Sequence, residues 1–395
     1  MAKKTVADIN VRGKRVLVRV DFNVPLDEKT GAITDDSRIR AALPTINYLL
    51  NQGARVILCS HFGRPKGKVV EELRLAPVSE RLSQLLKKPV IYLRDCIGSE
   101  VKKAVGELKS GEVILLENLR FYPGEEENDP GFARELAELA EVYVNDAFGA
   151  AHRAHASTVG VTKYLPAVAG FLMEKELRFL GQALAEPARP FAMLLGGAKV
   201  ADKIGLLENV AERVNSLIIG GSMANTFLKA QGYKVGRSKT EDDQLEFTRG
   251  LMEKAKTKGI HLLLPSDVVV AKEFSAESPF KTVSISEVPK DWQIMDIGPE
   301  SISRFGDELK RCKTIIWNGP MGVFEFAPFS QGTRALASLL AELDATTIVG
   351  GGSTAEAVVE MGLENKLTWV STGGGASLRF LEGKTLPGVA ALMDK

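Results

Sequence analysis

The sequence predicts an α/β protein made of two doubly wound parallel-sheet domains joined by a helix and hinge. Three observations predict it. Short runs rich in Val, Ile and Leu alternate with helical patterns almost to the end of the chain, as strand–helix–strand units require. In the first of these runs Val16, Leu17, Val18 and Val20 are continuous enough for a strand in the middle of a parallel sheet. At 395 residues the chain is too long for one ordinary core, and it holds too many such runs for one small sheet.

In the first half, strands are expected at 15–22 (RVLVRVDF), 54–62 (ARVILCSHF), 90–94 (VIYLR), 112–121 (EVILLENLRF) and 142–148 (VYVNDAF). Within the first, Val16, Leu17, Val18 and Val20 are the core side chains. The acidic stretch 123–138 (PGEEENDPGFARELAE) reads as a solvated loop, with no assigned function, leading into a helix over 132–141. Asp129 is placed to cap that helix and Pro130 to occupy its first position, where a missing N–H costs nothing. A helical segment over 173–186 (MEKELRFLGQALAE) follows, and Pro187 ends it because proline cannot continue the hydrogen-bond ladder. In the second half, strands are expected at 191–197, 216–221, 260–270, 313–320, 346–352 and 368–375, with a helix over 201–214. The expected organisation is a first domain at 1–172, a linker helix at 173–187, a second domain at 188–382 and a tail from about 383 to 395. Both domains are of Rossmann-like type.

Composition narrows the function by exclusion. The formal charge is +1, from 51 basic and 50 acidic residues, so no global field favours nucleic acid or a membrane surface. No apolar run approaches the roughly 20 residues of a membrane span. The first residues, MAKKTVADINVRGK, lack the apolar centre of a signal peptide. Cys59, Cys96 and Cys312 lie far apart and form no CxxC, the pattern of reduced thiols in a cytoplasmic protein.

In open parallel sheets, ligands bind beyond the carboxyl ends of the strands. In the first half those ends carry Asp21 and Asn23, His61 and Arg64, and Asn118 and Arg120, with Arg38, Arg153 and His155 nearby in sequence. Guanidinium forks match carboxylate and phosphate oxygens in pairs, so this set suits a small phosphorylated acid. In the second half the ends carry glycine: GGAK at 196–199, GGSMANTF at 220–227, NGPMGVFE at 318–325, GGGST at 350–354 and GGGAS at 373–377. Glycine lets backbone N–H groups approach phosphates at helix N-termini. Lys199 and Lys203 follow GGA four apart, which on a helix starting there would put both on one face, near a phosphate. No Walker A motif is present: GRPKGK at 63–68 has the wrong spacing, and GKT at 383–385 has no glycine five residues earlier. GGGSTA at 350–355 satisfies G-x-G-x-x-A but lacks the acidic residue expected about 20 positions later. His152 and His155 lack local partners for a metal site.

The motifs VRVDFNVP, SHFGRP, ENLRF, AHRAHAS, GGAKVADKI, GGSMANTF, NGPMGVFE, STGGGASL and GKTLPGV stand in one order along essentially the whole chain. In them the sequence resembles the phosphoglycerate kinase family. The resemblance implies reversible phosphoryl transfer between 1,3-bisphosphoglycerate and ADP in glycolysis or gluconeogenesis, by a cytoplasmic monomer using Mg²⁺ bound with ATP or ADP. By that resemblance Asp21, Phe22, Asn23, Arg38, His61, Phe62, Gly63, Arg64, Arg120 and Arg153 would hold the glycerate substrate. Lys199, Lys203, Gly197 and Gly221 would hold nucleotide phosphates, Glu325 the ribose, and Gly351, Gly352, Ser353 and Thr354, with amides near Gly373 to Gly375, a phosphate cradle. Arg38, Lys199, Gly351 and Gly374 would carry the catalytic step, and the two domains would close before transfer. The tail would pack back on the first domain. Two departures stand out: Ser353 where the family usually has the aspartate that meets the nucleotide's magnesium, and Trp369 where it often has histidine near the hinge. No residue is therefore assigned as a firm metal ligand. The alternatives are a nicotinamide-dependent oxidoreductase, resting on GGGSTA, and a non-catalytic two-lobed anion-binding protein.

Overall fold

The computed structural model describes residues 2–27 and 29–395. The chain divides into two compact units, Met1–Arg178 with Thr385–Lys395, and Phe179–Lys384.

The first unit is built on six parallel strands: β1 (Arg15–Arg19), β2 (Arg55–Cys59), β3 (Val90–Tyr92), β4 (Val113–Leu115), β5 (Val142–Asn145) and β6 (Ala167–Ala169), in the order β3-β4-β2-β1-β5-β6. Val16, Val18, Val56, Leu58 and Val144 pack in one cluster with Ile39, Ile46 and Leu49 of the helix Ser37–Asn51. Burial on both faces explains why these strands read as unbroken apolar runs. β1 and β2 end at Arg19 and Cys59, so Asp21, Asn23 and His61 lie beyond their carboxyl ends. The C-terminal tail belongs to this unit: Lys4 N–H donates to Met393 O at 2.9 Å, and Gly388 N–H to Ala151 O at 2.9 Å.

The second unit has its own six-stranded parallel sheet, from β7 (Phe191–Leu195), β8 (Ser216–Ile219), β9 (His261–Leu263), β13 (Thr314–Asn318), β14 (Thr346–Gly350) and β15 (Trp369–Val370), ordered β15-β14-β13-β7-β8-β9. Trp317, Leu194, Ile218 and Val349 form its core with Phe305, Leu336 and Val358. β10 (Asp267–Ala271), β11 (Phe280–Ser284) and β12 (Gln293–Ile297) make a separate antiparallel sheet, ordered β11-β10-β12. The expected single strand over 260–270 is thus two strands, broken where Pro265 removes a ladder N–H. The long helix Phe171–Ala185 contains the boundary between the two units.

Candidate active-site residues

Because all strands of each main sheet are parallel, their carboxyl ends share one edge. In the first unit that edge collects a charged cluster. Arg38 Nη1 donates to Asp21 Oδ2 at 2.5 Å. Burial pushes the Asp21 carboxyl up, but the charges of Arg38 and Arg19 and the Asn23 N–H outweigh it and hold the group below its usual value. Asn23 Oδ1 accepts from Gly63 N–H at 2.8 Å, joining the turn after β1 to the turn after β2. Arg120 donates to Gly63 O at 2.9 Å and pairs with Glu126 at 3.2 Å. Arg153 Nε donates to His152 Nε2 at 3.1 Å. Arg64 is exposed, and no described residue pairs with it. Phe22 and Phe62 are buried in the apolar core, so they present backbone rather than ring to this edge.

The deepest member is Arg19, fully buried at the end of β1. Its Nε donates to Ser157 Oγ at 2.9 Å and its Nη1 to Val20 O at 2.5 Å. Its Nη2 lies 3.2 Å from His61 Nδ1. A guanidinium can only donate, so Nδ1 accepts and the ring proton of neutral His61 sits on Nε2. Burial holds the His61 ring well below its ordinary value, with Asp21 opposing. His155 is pushed down to about 4, by burial first and then by Arg120, Arg19, Arg153 and His152. The negative side of this network is Glu125, fully buried, which accepts from Ser157 N–H at 2.9 Å and Ser157 Oγ at 2.5 Å. Sequence reasoning put Glu125 in a solvated loop. It sits instead in the short helix Pro123–Glu126, turned inward. Its only available signal was an arginine within an apolar strand run, which demands a buried counter-charge.

In the second unit the glycine loops pack backbone to backbone. A Cβ at Gly196 would stand 2.1 Å from Pro320 O, and one at Gly221 would stand 2.5 Å from Gly197 N, so side chains are excluded there. Gly197 N–H donates to Pro320 O and Gly221 N–H to Met321 O, both at 2.9 Å. These two N–H groups are therefore spent on holding loops together, not free for an anion. Thr354 is likewise engaged: its Oγ1 accepts from Gly319 N–H at 2.7 Å. Open donors stand elsewhere. Gly351, at φ +91°, caps the helix Gly352–Glu360, whose first N–H groups have no acceptor among the described residues. Gly374, at φ +50°, precedes the helix Gly375–Leu381, where Ala376 N–H is already taken by Gly373 O at 2.9 Å. Ser353 and Glu325 are exposed.

The two lysines part company. The chain makes a 3₁₀ turn, Ala201–Lys203, before the helix Ile204–Val210, so the expected shared helix face does not form. Lys199 is exposed. Lys203 is buried, and its Nζ donates to Gly196 O at 2.7 Å and Asn318 O at 2.8 Å. Burial pushes its ammonium down to about 7. Among the described residues, no group of three or more His, Cys, Asp or Glu is placed to hold a metal ion. No helix of the described residues is long and apolar enough to cross a membrane.

Comparison with known proteins gives a consistent result. The family model described as "Phosphoglycerate kinase" matches residues 6–384. The chain is 59% identical over 395 residues to the phosphoglycerate kinase of Moorella thermoacetica, covering 100% of both chains. It is 57% identical over 395 residues to that of Pelotomaculum thermopropionicum, again with 100% coverage of both. Among solved structures, phosphoglycerate kinase from Coxiella burnetii matches with a TM-score of 0.87 at 44% identity, covering 98% of each chain. That from Pyrococcus horikoshii OT3 matches with a TM-score of 0.86 at 33% identity, also covering 98% of each. Neither the oxidoreductase nor the binding-protein alternative finds support in these matches.

Proposed function

The chain belongs to the phosphoglycerate kinase family, and from that premise we propose how its residues divide the work. The enzyme is a phosphotransferase with a carboxyl group as acceptor, moving a phosphoryl group reversibly between 1,3-bisphosphoglycerate and ADP. One observation carries the division: one sheet edge ends in arginines and neutral histidines, the other in glycine loops, two lysines and open helix N-termini.

The first unit holds the glycerate. Arg38, Arg64, Arg120 and Arg153 supply guanidinium donors to its carboxylate and phosphate oxygens. His61 donates from Nε2, and Asp21 and Asn23 order Arg38 and the Gly63 turn. The second unit holds the nucleotide. The N-termini at Gly352 and Gly375 receive phosphate oxygens, and Glu325 meets the ribose. Gly197 and Gly221 serve by close backbone packing, and Thr354 by fixing the Gly319 loop.

An acyl phosphate is already activated, so transfer needs no protein nucleophile. It needs alignment and neutralisation of charge on the phosphoryl oxygens. Exposed Lys199 is free to follow that group, with Arg38 and the amides beside Gly351 and Gly374. Magnesium bound with the nucleotide would shield its phosphates, and phosphate oxygens and water can complete its coordination. The reading further places the enzyme in the cytoplasm as a monomer, where its three free, buried thiols stay reduced. A coupled assay for ATP formation from 1,3-bisphosphoglycerate, ADP and Mg²⁺ tests the whole. Absence of ATP formation at every Mg²⁺ concentration would refute it.

A further inference from the structure

The run SKTEDDQ at 238–244 is, on sequence, an ordinary charged surface loop. In the structure one of its carboxylates reaches inward. Glu241 Oε2 accepts from Val200 N–H at 2.5 Å, and Oε1 lies 3.4 Å from Ala201 N. Val200 is the residue that precedes the 3₁₀ turn Ala201–Lys203 and Ala201 is its first, and that turn has no side-chain cap of its own. A carboxylate from a distant loop supplies it.

The loop that carries Glu241 is itself tied down. Glu241 N–H donates to Thr226 Oγ1 at 3.1 Å, and Thr226 is buried in the helix Met223–Ala230. Lys229 of the same helix pairs with Asp242 at 2.7 Å, and Asn225 Nδ2 donates to Lys239 O at 3.4 Å. On the other side of Lys199, Gly197 is held at both ends of its peptide. Its N–H donates to Pro320 O at 2.9 Å, and its carbonyl accepts from Met223 N–H at 3.0 Å. The backbone of Lys199 therefore runs between two anchors while its side chain stays exposed.

A negative charge beside a polyphosphate site works against ground-state binding, so its placement needs another cause. We infer that Glu241 is a positioning residue for phosphoryl transfer: by capping Val200 and Ala201 it fixes the direction in which Lys199 leaves the backbone. This rests on the reading of Lys199 as the group that follows the phosphoryl in transit. Glu241 touches no substrate in this role. Its effect appears in the transition state, where a small misplacement of Lys199 is costly, more than in nucleotide affinity.

Steady-state kinetics on the full-length enzyme test it. Glu241→Ala should lower kcat about tenfold while the KM for ADP changes less than about threefold. Glu241→Gln keeps an acceptor oxygen and should recover most of the loss. Sodium formate, a free carboxylate, should partly restore Glu241→Ala and leave wild type unchanged. With Lys199→Ala already present, adding Glu241→Ala should alter kcat less than about twofold, because the two residues act as one unit. A kcat for Glu241→Ala within about twofold of wild type, in an enzyme where Lys199→Ala is impaired, overturns the inference alone. So does an undiminished effect of Glu241→Ala in the Lys199→Ala background, or a loss that neither glutamine nor formate relieves. An unimpaired Lys199→Ala enzyme overturns the reading of Lys199 itself.

Discussion

ADP binding should drive a proton onto Lys203. Burial has pushed this ammonium down to about 7, and the carbonyls of Gly196 and Asn318 accept two hydrogen bonds from it, at 2.7 and 2.8 Å. A neutral amine has two N–H groups, so those carbonyls satisfy it fully. The third proton of the charged form gains an acceptor when a phosphate arrives. A unit negative charge about 4 Å away, at an effective dielectric near 20, favours the charged form by roughly 4 kcal/mol, or about three pKa units. Lys203 then returns toward its ordinary value in the complex. At pH 8 the free enzyme carries about 0.1 proton on this amine and the complex nearly one, so binding takes up about 0.9. Uptake falls to about 0.5 at pH 7 and about 0.1 at pH 6. The sign for stability follows. Between about 7 and 10.5 the unfolded chain holds more protons on this lysine than the free folded enzyme does, so that part of stability rises with pH. Affinity for ADP moves the other way and weakens about eightfold from pH 7.5 to 8.5. Calorimetry at pH 8, in buffers of different ionisation enthalpy, reads the proton count directly. Lys203→Met is the baseline and should show almost none. Equal uptake by wild type and Lys203→Met would refute the reasoning.

Other residues give separate expectations. Lys199→Ala should lower kcat by about 10²–10³ with a much smaller change in nucleotide KM, a loss of roughly 3–4 kcal/mol in the transition state; a change confined to KM would show that Lys199 only grips the ground state. Ser353→Asp should reduce the Mg²⁺ concentration needed for half-maximal activity, with little effect on kcat at saturating metal; a wild type inactive at every Mg²⁺ level but rescued by aspartate would refute the assignment for the natural chain. Arg19→Met should destabilise the protein by about 3–5 kcal/mol in urea unfolding at pH 7, because Glu125 stays buried without its cation. That deficit should shrink toward pH 5, since a buried carboxylate with a raised pKa loses stability as pH climbs through it; a pH-independent deficit would point to lost packing alone.

The fold was legible wherever burial on both faces wrote an apolar run. β1, β2, β7 and β13 are such strands, and their ends carried the site residues into view. β11 was not legible, because four of its five residues face solvent and leave no apolar period. Its neighbour β10 was seen but joined to β9, since apolar residues flank Pro265 on both sides. The site divides in the same way. Arginines beyond strand ends point to the proposed anion site by residue type alone. Glu125 stands among identical neighbours, Glu126 and Glu127, and only Ser157 and Arg19, distant in sequence, determine that it points inward. Lys203 was expected beside Lys199 on one helix face near a phosphate; its burial was not foreseen, because its carbonyl partners belong to loops that no local pattern brings to it. Gly197 and Gly221 were found too, but their N–H groups are spent on Pro320 and Met321, a detail of loop packing that no local pattern encodes.

These charge states divide the pH response between the two units. In the first, Asp21 is held below its usual range, and His61 and His155 are held neutral by burial, so none of the three changes charge between about pH 6 and 9. The guanidinium groups do not deprotonate in proteins. In the proposed site, binding of the anionic phosphoglycerate then rests on fixed charges and on His61 Nε2–H, whose tautomer Arg19 determines. In the second unit Lys203 titrates within that same window. A burial that makes the histidines indifferent to pH makes the lysine responsive, because desolvation lowers both but the two start on opposite sides of neutrality. The apparent KM for ADP should therefore climb with pH above 7 while that for 3-phosphoglycerate stays flat once its own phosphate is fully ionised.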